Sequence, residues 1–140
     1  MRYFLPLLFL SFSVFSQNKC EQSVSSSAKK HYKKAEDAAR NWQYGKAYSF
    51  LDKALEEQSD YAKALFLYGQ LKMEKEEFEH SQKLLIRGVS ICPMYSEEIY
   101  WLIASMAFEG GNYDRAAQYY ESYLRFFGLS EEKIALAQER

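Results

Sequence analysis

Apolar residues recur along most of this chain at steps of three and four, the period of an amphipathic helix rather than of a strand. Ala47, Phe50, Leu51, Ala54 and Leu55 form one such stripe, and Leu84, Leu85, Gly88 and Val89 form another. The pattern predicts helices over 28–40, 44–57, 61–74 and 78–91. A fifth is opened by Ser96-Glu97-Glu98 and ended by Gly110-Gly111-Asn112, a sixth covers 113–127, and a short seventh begins at Ser130. Asn41-Trp42-Gln43 and Lys75-Glu76-Glu77 read as turns. Pro93 after Cys92 and Gly128 after Phe127 read as stops, because proline cannot continue a helix and glycine commonly closes one. One of the serines in 21–27 is expected to cap the first helix, and Ser59-Asp60 the third.

The same pattern repeats on a longer scale. Residues 110–124, GGNYDRAAQYYESYL, place an aromatic at a turn, a small residue three positions later and a bulky one four further on. Tyr113, Ala116 and Tyr120 are echoed by Phe78, Ser81 and Leu85, and by Tyr44, Ala47 and Leu51. The copies are spaced 34 residues from Tyr44 to Phe78 and 35 from Phe78 to Tyr113. A period in this range points to a solenoid of stacked helical hairpins. Two antiparallel helices approach closely only where their facing residues are small, the task expected of Ala35, Gly69 and Ala104 against Ala47, Ser81 and Ala116. The tyrosines of 113–124 read as packing residues of a second helix.

Composition narrows the function more than the fold. A chain of 140 residues with 48% apolar and 26% charged content holds one ordinary globular domain, and six Gly with two Pro favour long helices over many short strands. A net charge of −1 gives no electrostatic reason to expect nucleic acid or an anionic membrane surface. Lys29, Lys30, Lys33 and Lys34 crowd a helix start, where they oppose the macrodipole, and read as a solvated face. Glu74, Glu76, Glu77 and Glu79 read as a soluble acidic turn. No Gly-rich phosphate loop, paired-histidine helix or nucleophile elbow is present, so no enzyme, small-molecule substrate or cofactor is expected. Cys20, Cys92, His31 and His80 stand at no recognised metal spacing, and no metal is expected.

Residues 1–16, MRYFLPLLFLSFSVFS, carry one early positive charge and then an apolar run too short to span a ~30 Å hydrocarbon core. They read as a cleaved secretory signal, followed by a polar linker over 17–27 and a protein exported to the periplasm. A lipid anchor at Cys20 is not expected, because Lys19 and Gln17 stand where lipoprotein signals need a small and an aliphatic residue. An exported chain with two cysteines permits a disulfide. Nothing local enforces one between Cys20 and Cys92, and two unpaired thiols are the expectation.

Within each hairpin the order is a small residue, an aromatic at the turn, then a small and a bulky residue, sometimes followed by proline. These are Ala35, Tyr44, Ala47, Leu51 and Ser59 in the first unit, and Gly69, Phe78, Ser81, Leu85 and Pro93 in the second. In the third they are Ala104, Tyr113, Ala116 and Tyr120, with Gly128 where the proline would stand. That order resembles the tetratricopeptide repeat, in three copies over 28–60, 61–95 and 96–128. The resemblance implies an all-α, right-handed α-solenoid of three helix-turn-helix hairpins. Residues 129–140 would then be a short C-terminal capping helix or the start of an interrupted unit.

The resemblance also implies a concave groove, lined by the first helix of each hairpin, that receives a protein or peptide segment. Tyr32, Phe66, Met73, Trp101 and Phe108 are its expected aromatic and apolar lining, with Ala39 at one further position. Tyr32, Lys33, Glu36, Gln70, Glu98 and Leu102 do not form the basic clamp with which some such proteins hold a chaperone's C-terminal carboxylate. A leader, a polar arm and three such repeats are also similar to the N-terminal module of certain Bacteroidetes envelope proteins. In those proteins a β-propeller and an outer-membrane-protein-A-type peptidoglycan-binding domain follow. The alternative function is therefore an assembly module of a larger peptidoglycan-associated secretion or gliding machine, associated with outer-membrane or peptidoglycan-linked complexes.

Overall fold

A computed structural model describes residues 24–128, and every regular element among them is an α-helix. The six are α1 (Ser26–Arg40), α2 (Tyr44–Glu57), α3 (Ala62–Glu74), α4 (Phe78–Ile91), α5 (Glu97–Glu109) and α6 (Tyr113–Phe127). The expected seventh helix lies outside the described residues. Ser25 caps α1, its side chain accepting from the Ala28 N–H at 3.2 Å. The cap expected at Ser59-Asp60 is corrected, because the N-cap of α3 is Tyr61 and makes no side-chain cap bond. Tyr61 is buried, and its ring lies 5.3 Å from that of Tyr32. Burial of that ring, rather than capping propensity, sets where α3 begins.

The helices pack as successive antiparallel pairs, α1 on α2, α3 on α4 and α5 on α6. The three turns inside these pairs share one geometry. Gln43, Glu77 and Asn112 donate their N–H groups to the carbonyls of Ala38, Lys72 and Ala107, while Trp42, Glu76 and Gly111 donate to Ala39, Met73 and Phe108. Such paired bonds define the Schellman helix end, which needs a left-handed residue just past the helix. Trp42, Glu76 and Gly111 occupy it, with φ of 59°, 60° and 77°. The repeat read from side chains is thus present in the backbone, in the same register.

The chain divides into two compact units at Tyr95–Ser96. In the first, Ala28, Ala35 and Ala38 of α1 and Ala47, Leu51 and Ala54 of α2 form a core that continues to Ala64 and Leu71 of α3. In its second hairpin, Ser81 is fully buried and donates to the Gly69 carbonyl at 2.7 Å, joining α4 to α3 where both residues are small. Between α2 and α3, Tyr48 and Tyr68 stack 5.4 Å apart. The Lys72 ammonium sits 4.5 Å over the Tyr48 ring and 2.9 Å from a Glu77 carboxylate oxygen. In the second unit, Ile99, Tyr100, Ile103, Ala104 and Ala107 of α5 are buried, with Ala116 of α6.

Candidate functional site

The five expected groove residues divide between the units and differ sharply in exposure. In the first unit Phe66 is only 3% exposed. Its ring stacks 4.6 Å from that of Tyr95 and lies directly against Gly88 of α4, so it presents almost no surface. Tyr32 is half-buried between Tyr61 and Glu36; burial first, then the Glu36 carboxylate, raises its phenol above the usual range. The rings of this unit thus pair as Tyr32 with Tyr61 and Phe66 with Tyr95, and Tyr95 adds electrostatically to the rise of the Tyr32 phenol. Met73 is half-buried near the end of α3, and Ala39 is half-buried against the first core.

In the second unit the surface is open. Trp101 is 55% exposed and Phe108, two helical turns on, is 58% exposed. The Trp101 indole meets Tyr120 at 5.2 Å and Tyr123 at 6.4 Å, both edge-on, and Phe108 meets Tyr113 edge-on at 5.4 Å. Edge-to-face packing lets these rings support one another while leaving indole and phenyl faces uncovered. An open cleft of about 320 Å³ lies beside Trp101, lined by Glu97, Glu98, Leu102 and Tyr123. It combines an apolar floor with carboxylates at the start of α5. Tyr113, read from sequence as a packing residue, is 63% exposed and belongs to this surface. Its position at the turn, where none of the described helices covers it, is the signal that could have found it.

Other candidates offer less chemistry. A second open cleft, at the turn before α4, is lined by Glu76, Glu77, Phe78, Glu79, His80 and Lys83. Its Glu77 and Glu79 carboxyls are held below the usual range by hydrogen bonds from Lys72 and Lys83, so neither is poised to take a proton near neutrality. Among the described residues, no group of three His, Cys, Asp or Glu could hold a metal ion. None of the described helices is long and apolar enough to cross a membrane.

The expectation of two unpaired thiols is corrected. Cys92, 4% exposed at the C-cap of α4, is disulfide-bonded, and no cysteine among the described residues is free. Helix-end geometry and local spacing carry no sign of such a bond, because a disulfide depends on a second cysteine brought close by the fold and not by the local pattern. No protein-family model and no curated protein matches the chain.

Proposed function

We propose that this chain is a non-catalytic protein-interaction scaffold of the bacterial envelope. Its three hairpins are read as tetratricopeptide repeats wound as a right-handed solenoid, and it takes a protein or peptide segment on the aromatic surface of α5 and α6. The observation that carries this is the pair of exposed rings on α5. A soluble helix does not ordinarily leave a tryptophan and a phenylalanine more than half exposed on one face, and aromatic anchors of this kind dominate recognition energies. The three Schellman turns in one register support the repeat reading. The disulfide at Cys92 supports export, since such bonds persist in oxidising compartments. Glu97 and Glu98 beside the cleft favour an apolar segment that also carries a basic side chain.

The test is selection of binding peptides from a random display library, followed by affinity measurement on Trp101→Ala and Phe108→Ala proteins. Each ring contributing at the hot-spot level of about 2 kcal/mol would weaken binding roughly 30-fold when removed. Helical circular dichroism should stay unchanged, because both rings are mainly outside the core. Undiminished binding by the double variant would move recognition off this surface and favour the assembly-module alternative.

A further inference from the structure

Phe50 of α2 is half-buried against the core that α1 and α2 share. Two ammonium groups from different helices are drawn to its ring. Lys34 Nζ of α1 lies 5.6 Å from the ring centroid and Lys53 Nζ of α2 lies 5.8 Å from it. His31 stacks on the same ring, with centroids 6.5 Å apart. Lys30 stands one turn before Lys34 on α1, and Lys46 and Lys53 flank Phe50 along one stripe of α2. All four lysines are exposed. The carboxylates within helical reach of them are turned elsewhere. Glu57, one turn beyond Lys53, is 3.2 Å from His31 Nε2, and Asp37, one turn beyond Lys34, is 3.7 Å from Arg40. Among the described residues, Lys30, Lys34, Lys46 and Lys53 form no ion pair. Like charges gathered in this way raise the local positive potential, and a bound anion relieves it.

We infer that this face of the first hairpin binds a glutamate-rich peptide segment of a protein partner. Its carboxylates pair with Lys34 and Lys53, and the methylene stems of its side chains cover Phe50. A glutamate brings both parts of that match, a charge and an apolar stem, to a site that offers ammonium groups around a phenyl ring. A nucleic acid fits less well. Its phosphates follow one another closely and call for a continuous basic track, whereas Glu56 and Glu57 close this patch at the end of α2. The proposal concerns the first unit alone and does not depend on the Trp101 surface.

Fluorescence anisotropy of a labelled, alternating Glu-Ala dodecapeptide, titrated with the full chain at low ionic strength, tests the site. Saturable binding with a Kd of about 100 μM or tighter is expected, and the matching Gln-Ala dodecapeptide should not bind. The probe carries neither an aromatic nor a basic side chain, so it does not report on the Trp101 surface. Lys34→Gln combined with Lys53→Gln should weaken binding about tenfold. Lys29→Gln combined with Lys33→Gln removes the same charge from positions turned about 100° around α1 from Lys30 and Lys34. That pair should weaken binding less than about threefold, as loss of general attraction alone would. All four replaced side chains are exposed, so helical circular dichroism should match the parent protein in both variants. Absence of saturable binding, or equal losses from the two lysine pairs, overturns the proposal. So does tighter binding, through Lys34 and Lys53, of a single-stranded oligonucleotide or of phosphatidylglycerol vesicles.

Discussion

Gly69 and Gly88 mark the closest helix contacts of the second hairpin, and the two are tight for different reasons. A Cβ on Gly69 would stand 2.7 Å from Leu85 Cγ, so Gly69→Ala forces a fully buried leucine out of its rotamer. Overpacking of this kind costs about 1–3 kcal/mol, to be read from the urea midpoint. Ser81→Ala leaves the Gly69 carbonyl without its buried donor and should cost about 1–3 kcal/mol in the same measurement. Gly88 explains why sequence could not rank the groove residues. Phe66 and Trp101 hold corresponding places in the repeat, 35 residues apart, as do Gly88 and Tyr123. Opposite Phe66 the glycine leaves room for the ring to sink, whereas opposite Trp101 the tyrosine ring fills that room and the indole stays outside. The distinction was present in the residues, but only as a pairing across two helices that a single-position rule does not see.

At the scale of the element, helix ends were legible wherever turn chemistry fixed them. The bounds of α2, α4 and α6 follow from the aromatic after each turn and the stop that closes each helix. The start of α3 was not legible, since Tyr61 is placed by a ring contact with α1. The turns themselves yield a prediction of opposite sign at equivalent positions. Glu76 and Gly111 both sit in the left-handed region, which is costly for any residue bearing a Cβ and free for glycine. Glu76→Gly removes a cost of about 1–2 kcal/mol and adds back about 0.5–1 in unfolded-chain entropy. The expected result is a net gain near 0.5 kcal/mol. Gly111→Ala should lose about 1 kcal/mol by the same argument reversed. Parallel denaturant titrations check both, and equal shifts in one direction would refute the shared turn geometry.

For the molecule as a whole, the tyrosines set the upper pH limit. Burial pushes the Tyr100 phenol in the second unit up to about 12. Burial, aided by the hydrogen bond donated to Asp52, does the same for Tyr68 in the first. Tyr48 and Tyr119 move in the same direction, again mainly through burial. A folded-state value raised above the unfolded one means that the unfolded chain releases its proton first. The stabilisation is therefore complete below the ordinary tyrosine value of 10.0 and is lost as pH rises towards about 12. Glu77 works at the other limit. Its hydrogen bond from Lys72 lowers its value, so its contribution is present above the ordinary carboxylate range and fades as acid protonates it. Phenolate absorbance and helical circular dichroism, followed together, check this. Tyr68 and Tyr100 should ionise only as helicity falls, between about 10 and about 12. Replacing Tyr68 and Tyr100 by Phe removes two of the groups that drive this loss, so the double variant's stability should fall less steeply across that window. Ionisation of Tyr68 and Tyr100 near 10.0, with helicity intact, would contradict the packing that raises both phenols.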